Sequence, residues 1–419
     1  MLRYLAILFF LSASVSSASG ATPAEIAALK SRKPVELPDS GPRGSLSERL
    51  YKRMVKAQVL LGDQKYAEAL ELLERLKVST KSKPFALAQV YQTIGYVYAQ
   101  QSKYQPAREN LQKCLDQNAL PLPATLNTMT TLAQLYMAEG QGAKAIPVLQ
   151  DVLFNAEEVK PRTLITLAQA WASLKQYREA LKPLDKALKL ATEPQESWYQ
   201  LKVAMEYELK NYSAAAETLL LLVKMNPGKK KYWKQLSSIF LADGRKDTEA
   251  LAVLELYEKR GFMSEEKEYL RLAHLYMNGN IPLKAAAVME RGLKAGVLKK
   301  TEKNYRITAQ AWALAHEPEK ALQALGKAAP MAKTGAVYVQ QGNIYLEQEK
   351  WDKAAKALTR GLEKGGLKKP GKVWLALGIA RFRLDKPRDA LAAFETARDT
   401  KTAKVQADQW ITHLEAVGR

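Results

Sequence analysis

Residues 91–111 read YQTIGYVYAQQSKYQPARENL, and this stretch determines the predicted fold. A large aromatic residue, Tyr91, is followed four positions later by Gly95, about one helical turn along the same face. Sixteen positions after Tyr91 comes Ala107, which the bulky Tyr104 precedes by three. The spacing predicts two consecutive helices that cross so closely at Ala107 that no larger side chain fits there.

The same pattern recurs along the chain at intervals of 33 to 38 residues. The residue at the predicted crossing is alanine every time: Ala69, Ala107, Ala145, Ala180, Ala215, Ala250, Ala285, Ala321, Ala354 and Ala390. Large apolar residues four positions after nine of these alanines are predicted to fill the seam with the next repeat: Leu111, Leu149, Leu184, Leu219, Leu254, Met289, Leu325, Leu358 and Phe394. A single helix pair cannot bury its apolar face alone, so the pairs must stack.

We therefore predict an all-α fold, a right-handed superhelical solenoid of about ten helix-turn-helix repeats over residues 47–400. A capping helix is predicted within residues 401–419, with one apolar stripe formed by Val405, Trp410, Ile411 and Leu414. Three second helices are predicted to begin at a proline, which the first helical turn tolerates: Pro282, Pro318 and Pro387.

The first 20 residues have the features of a signal peptide. Arg3 precedes an apolar stretch, and the small residues Ala18 and Gly20 occupy the positions that a signal peptidase recognises, which predicts cleavage after Gly20. The alternative is an uncleaved N-terminal anchor. No cysteine near this point marks a bacterial lipoprotein. We predict export to the periplasm, with residues 21–46 as a flexible, proline-bearing tether.

The composition limits the possible partners. Among 419 residues, 64 Lys and Arg oppose 43 Asp and Glu, so the formal net charge is +21 and an anionic partner is expected. Export disfavours nucleic acid as that partner. The single cysteine, Cys114, excludes an intramolecular disulfide, and three histidines far apart in sequence do not predict a metal site.

No motif predicts catalysis or a cofactor. Residues 366–372, GLKKPGK, have the glycines and lysine of a phosphate-binding loop, but Val373 stands where such loops carry Ser or Thr. Pro370 also removes an amide donor, and no strand is predicted before the loop. We predict a protein that is not an enzyme and that takes no cofactor, metal or small-molecule substrate.

Two surfaces are predicted to bind partners. The first is a peptide-binding groove on the first helices of the repeats, lined by Gln58, Gln92, Tyr96, Gln134, Gln169, Tyr207, His274, Arg306, Gln310 and Asn343, although any solvated groove is polar. The second is a basic ridge of lysine pairs between repeats: Lys229, Lys230, Lys299, Lys300, Lys368 and Lys369. The ridge would favour acidic protein segments or an anionic surface or glycan, and ordinary loop solubility explains it equally well.

Several strings resemble known families. Tyr91 with Ile94-Gly95, and Trp374 with Leu377-Gly378, are similar to the signature of the tetratricopeptide repeat. Residues 230–236, 284–292 and 364–371 (KKYWKQL, KAAAVMERG and KGGLKKPG) resemble the periplasmic tetratricopeptide proteins of TonB–ExbB–ExbD clusters, the TtpC type. That resemblance implies an accessory scaffold for TonB-dependent outer-membrane import, with TonB, ExbB and ExbD as envelope partners. It carries over no functional residue.

Two alternatives stay open at this point. A repeat scaffold for polysaccharide export or for cell-wall or outer-membrane assembly would also be exported, and the lysine pairs would then contact anionic glycan. An enzyme such as a wall hydrolase would need an acid, a base and a nucleophile in one place, and no such arrangement is evident in the sequence.

Overall fold

The computed structural model describes residues 21–37, 44–244 and 246–416. These residues form 22 α-helices, one 3-10 turn (Ala329–Met331) and no strands, which confirms the all-α prediction. The chain divides between Gly228 and Lys229 into two compact units. The predicted signal peptide, residues 1–20, lies outside the described residues.

The first unit contains one N-terminal helix and five helix pairs. Its helices are α1 (Pro23–Ser31), α2 (Glu48–Gly62), α3 (Tyr66–Ser79), α4 (Pro84–Gln100), α5 (Tyr104–Asp116), α6 (Leu122–Ala138), α7 (Gly142–Asn155), α8 (Pro161–Ser173), α9 (Tyr177–Leu190), α10 (Glu196–Glu208) and α11 (Tyr212–Met225). From α2 onward each helix packs against its pair partner, and the second helix of each pair packs against the first helix of the next. The apolar faces are thus covered by stacking, as predicted.

The second unit repeats this arrangement with five further pairs and a final helix. Its helices are α12 (Lys230–Asp243), α13 (Asp247–Lys259), α14 (Glu266–Asn278), α15 (Pro282–Lys294), α16 (Glu302–Leu314), α17 (Pro318–Ala328), α18 (Ala336–Glu347), α19 (Trp351–Lys364), α20 (Pro370–Arg383), α21 (Pro387–Arg398) and α22 (Lys404–Ala416). The three prolines predicted as helix starts begin α15, α17 and α21.

The close helix crossings occur where the sequence predicts them. All ten alanines of the repeat pattern are fully buried, and the nine seam residues that follow them are also buried. In the second pair a Cβ added to Gly95 would lie 2.6 Å from Leu111 Cδ2 and 3.2 Å from the carbonyl oxygen of Ala107. The small residue on the first helix therefore makes room for the seam residue of the second.

A left-handed residue links the two helices of every pair in the described residues. Its φ lies between 56° and 71° in each turn, at Gln64, Ser102, Gly140, Lys175, Lys210, Gly244, Asn280, His316, Glu349 and Asp385. In the second pair the following amide, of Lys103, donates to the carbonyl oxygen of Tyr98 over 2.9 Å, which closes the end of the first helix. Eight of the ten residues are not glycine, so these turns carry backbone strain.

We expect Lys210→Gly to raise the free energy of unfolding by about 0.5–1 kcal/mol, because glycine relieves the left-handed strain at a small cost in unfolded-state entropy. Urea denaturation followed by circular dichroism measures the change. The matched control is Lys186→Gly at an exposed helical position of α9, which should lower the stability by about 1 kcal/mol. Equal losses of stability in both variants would contradict the claim that the backbone is strained at Lys210.

The structure differs from the predicted flexible tether over residues 22–37. Thr22 and Glu25 form a capping box that starts α1, and Pro23 occupies its first position. Residues 32–37 then lie extended along α7, held by hydrogen bonds to Asp151 and Asn155. Residues 38–43 of the predicted tether lie outside the described residues.

The C-terminal helix packs on the last pair with three of the four predicted residues, Trp410, Ile411 and Leu414. Ile411 and Leu414 are buried as expected, together with Ala407 and Ala403, which are one and two turns before Ile411. Val405 was predicted in the stripe, but its side chain is 70% exposed because it lies two residues from Ala403 and so faces another side of the helix.

Candidate functional site

Six of the ten predicted groove residues are exposed on first helices of the pairs. Each directly follows a small residue that is buried between helices, and five of the six carry a side-chain amide: Gln58, Gln134, Gln169, His274, Gln310 and Asn343. The pattern arises because successive helical residues lie about 100° apart, so the neighbour of the buried small residue turns outward. Six of the ten first helices therefore present an exposed polar side chain at an equivalent position.

The other predicted groove residues are half-buried and make contacts within the protein. Gln92 Nε2 on α4 donates to Thr128 Oγ1 on α6 over 2.7 Å. Arg306 Nε on α16 donates to Gln340 Oε1 on α18, also over 2.7 Å. Each bond joins the first helices of neighbouring pairs, so these two side chains brace the surface rather than project from it.

Two tyrosines complete the predicted set. Burial raises the pKa of Tyr96, against the effect of hydrogen bonds with Thr131, Thr128 and Gln92, so its phenol stays protonated at neutral pH. The ring of Tyr207 lies 5.7 Å from the ring of Tyr212 on α11, in a tilted arrangement. Both tyrosines thus join the polar face to neighbouring helices.

Sequence reasoning missed the partners of these bracing residues. The predicted groove residues form hydrogen bonds with Thr128 and Thr131 on α6 and with Gln340 on α18. Thr128 follows Gln92 by 36 residues and Gln340 follows Arg306 by 34, which is one repeat length in each case. The sequence did offer one signal for these partners. Each is a polar residue that lies about one repeat after a predicted groove residue.

The predicted lysine pairs are all exposed, at the starts of α12, α16 and α20. These three helices belong to alternate pairs of the second unit, and Glu265 and Glu266 occupy the start of the intervening α14. Lys229 Nζ lies 5.8 Å from the ring centre of Tyr232, and Lys230 Nζ lies 5.5 Å from that of Phe262. The lysines therefore stand at every second junction, with acidic residues between the first two pairs.

A charged cluster joins α12 to the start of α14. Lys234 Nζ lies 2.6 Å from carboxylate oxygens of both Glu265 and Glu268, and Glu268 is buried. Burial lowers the pKa of Lys234, but the hydrogen bonds to the two carboxylates outweigh it and raise the pKa above its ordinary value. Hydrogen bonds from Lys234 and Lys267 lower the pKa of Glu265 to about 2. Lys234 and Glu265 are therefore ionised at neutral pH, and the cluster joins the two helices.

A cavity of about 450 Å³ lies between α19 and α20, beside the sequence that resembles a phosphate-binding loop. Its walls are largely apolar, with Leu362, Leu367, Trp374 and Leu377, and its charged groups are Glu363 and Arg381. Gly365 and Gly366 form one rim, but Pro370 begins α20 and supplies no amide donor. The arrangement lacks the converging amides that would hold a phosphate.

Other chemical sites are not evident in the described part of the chain. Cys114 is buried, and burial raises the pKa of its thiol to about 12, so it stays protonated and unreactive. Within residues 21–37, 44–244 and 246–416, no group of three His, Cys, Asp or Glu side chains is placed to hold a metal ion. None of the helices described combines the length and the apolar character needed to cross a membrane.

Two segments match family models described as tetratricopeptide repeat. Residues 88–119 match one model and cover most of α4 and all of α5, and residues 339–404 match a second over α18 to α21. Both matched segments are similar to the tetratricopeptide repeat. Such repeats generally bind protein partners, so the exposed first-helix positions are candidate contacts for a protein.

Several solved structures are similar to the chain. MamA from Desulfovibrio magneticus RS-1, from residue 41 to its end, is 19% identical, with a TM-score of 0.39 over 44% of this chain and 99% of that one. A tetratricopeptide repeat protein from Parabacteroides merdae is 16% identical, with a TM-score of 0.39 over 71% and 99%. The C-terminal part of a repeat protein from Cytophaga hutchinsonii is 14% identical, with a TM-score of 0.41 over 66% and 95%. No sequence among the curated proteins compared matches significantly.

Proposed function

We propose that the chain is a non-enzymatic scaffold that binds extended protein segments through the exposed polar positions of its first helices. The observation that carries this proposal is the repeated doublet of a buried small residue and an exposed amide, as at Ala133-Gln134 and Ala168-Gln169. A side-chain amide offers two donors and an acceptor, which match the alternating groups of an extended peptide backbone. The half-buried Gln92 and Arg306 brace this face.

The spacing of the helices suits such a ligand. The first helices α6 and α8 are in contact, and helices that pack are about 8–10 Å apart. An extended chain rises about 3.3 Å per residue, so one amide would meet the ligand every three residues or so. We therefore expect a linear segment, rather than a folded domain, as the preferred ligand of Gln134 and Gln169.

For location and partner we propose the periplasm and the TonB–ExbB–ExbD system. The support for export is the signal-like sequence of residues 1–20, and the support for the partner is the resemblance of residues 230–236, 284–292 and 364–371. A glycan scaffold would draw on the lysine pairs, but these stand at alternate repeats and are interrupted by Glu265 and Glu266. The first-helix face is thus the better-supported contact surface.

The test is recovery of partners from envelope membranes of the native host with a tagged, full-length chain, read by mass spectrometry. We expect TonB, ExbB or ExbD to be enriched with the unaltered chain. The double variant Gln134→Ala, Gln169→Ala should lower that recovery by about tenfold, which corresponds to ~1.4 kcal/mol of binding free energy.

A matched control changes two glutamines that are exposed on a second helix, Gln105 and Gln112 of α5, to alanine. This variant should recover the same proteins as the unaltered chain. Absence of all three TonB-system proteins would reject that partner, while equal recovery with both double variants would reject the first-helix face as the binding surface.

A further inference from the structure

The N-terminal arm, residues 22–37, is held on the outside of the repeats by very few contacts. Helix α1 has nine residues and none of them is buried. A helix this short is marginally stable alone, so its position depends on the extended residues after it. Helix α1 packs against α7, and its Leu29 packs partly against the core cluster around Leu149 and Trp171. Residues 32–37 add hydrogen bonds to α7.

Arg32 is bound by a single carboxylate on α7. Its Nη1 lies 2.8 Å from Asp151 Oδ1 and its Nη2 lies 2.7 Å from Asp151 Oδ2, a bidentate pair. Nη1 also lies 3.5 Å from the carbonyl oxygen of Pro147. The carboxylate side chain is only 12% exposed, so the pair is shielded from solvent and has the planar geometry in which arginine exceeds lysine.

Two side chains of the same helix form hydrogen bonds with the backbone after Arg32. The Val35 amide donates to Asp151 Oδ1, Asn155 Nδ2 donates to the Val35 carbonyl, and the Leu37 amide donates to Asn155 Oδ1, each over 2.8 Å. Asp151 and Asn155 are four residues apart, so they are separated by about 6 Å along α7. Two residues of extended chain span about 6.6 Å, so the backbone of both Val35 and Leu37 comes within reach of these two side chains.

The site binds an arginine side chain and backbone groups, and it does not bind most other side chains of the segment. Val35 is 53% exposed, and Lys33, Pro34 and Glu36 are also exposed. Pro34 fixes its own φ and keeps Lys33 extended, so the arm is pre-organised for this contact. Any extended peptide with an arginine three residues before the paired amide satisfies the same contacts.

We propose that Asp151 and Asn155 form a second peptide-binding site, specific for an extended segment with this arginine spacing, and that residues 32–37 of the same chain are its resident ligand. The site lies on α7, a second helix, and is independent of the first-helix positions. Release of the arm would return Asp151 and Asn155 to water, so a competing segment of the same chemistry can replace it without breaking the fold.

The test uses a fluorescent peptide with the sequence of residues 22–37 and the full-length chain, with binding followed by fluorescence anisotropy. In the variant Arg32→Ala the arm loses its charged contact and leaves the site accessible. We expect this variant to bind the peptide about tenfold or more tightly than the unaltered chain does. Adding Asn155→Ala to that variant should abolish the gain, and a peptide with alanine in place of its arginine should not bind.

Amide hydrogen exchange in the full-length variants shows whether the arm has been released and whether α7 is intact. Val35 and Leu37 should exchange slowly in the unaltered chain and faster in Arg32→Ala, while the amides of α7 stay protected and report an intact helix. Peptide binding of equal strength by the unaltered chain and by Arg32→Ala would overturn the resident-ligand proposal. Absence of binding to Arg32→Ala, with the arm released, would overturn the site itself.

Discussion

Phe394→Ala is expected to lower the free energy of unfolding of the second unit by about 3–5 kcal/mol, which is the usual cost of removing a buried aromatic ring. Phe394 has no exposed surface and lies in the cluster that joins α20, α21 and α22. Its ring is stacked on that of Trp410, with centres 5.5 Å apart and an angle of 12°. It also covers Gly378, which has no side chain to fill the space that the ring would leave.

Urea denaturation of the full-length chain gives the loss, and amide hydrogen exchange locates it. Because each repeat contacts only its neighbours, the faster exchange should be confined to the last pair and α22. The control Val405→Ala removes a side chain that is 70% exposed and should change stability by no more than about 0.5 kcal/mol. A loss below about 1 kcal/mol for Phe394→Ala would contradict the packing described.

Ala215→Leu is expected to lower the free energy of unfolding of the first unit by about 1–3 kcal/mol, because the added atoms have no space between α10 and α11. Ala215 has no exposed surface and belongs to the alanine series that is buried in all ten pairs. To accept leucine, the two helices would have to move apart and pull the seam residue Leu219 from its contacts. The measurement is the urea midpoint of the variant, followed by circular dichroism.

The control is Ala138→Leu, an exposed position at the end of α6. Alanine and leucine have similar helix propensities, so this change should be nearly neutral. If Ala215→Leu were as well tolerated as Ala138→Leu, the alanine would not mark a close crossing, and the repeat pattern would need another explanation.

The helix pairs were predictable because their sequence signal is local and repeated. Each crossing needs a residue no larger than alanine, and each seam needs a large apolar residue four positions later, so the pattern returns once per repeat. The turns gave no comparable signal. Their left-handed residues are as different as Lys210, His316 and Asp385, because the geometry constrains only the backbone there.

The docking of the N-terminal arm could not be predicted from local sequence. The prolines and glycines of residues 21–46 indicated a flexible tether. The groups that hold the arm, Asp151 and Asn155, follow Val35 by 116 and 120 residues. Neither residue stands out in the sequence of α7. A contact over such a separation becomes visible only when the helix pairs between are stacked.

The helical phase predicted which helices carry the groove residues. It did not predict which of these side chains already form hydrogen bonds within the protein. Gln134 follows the buried small residue Ala133 and is exposed, whereas Gln92 follows the large residue Tyr91 and donates to Thr128 on the next first helix. That difference depends on a hydroxyl one repeat away. The exposed set is therefore smaller than the predicted set, and it defines the positions at which a bound partner should be sought.

The most direct test of the proposed scaffold function is site-specific photo-crosslinking in living cells. A photoreactive residue is placed at Gln134 or Gln169 on the first helices, or at Gln112 on the second helix α5 as control. We predict covalent adducts with the same partner protein from Gln134 and Gln169 and none from Gln112. Equal adducts from all three positions, or none from the two first-helix positions, would contradict a binding surface on the first helices.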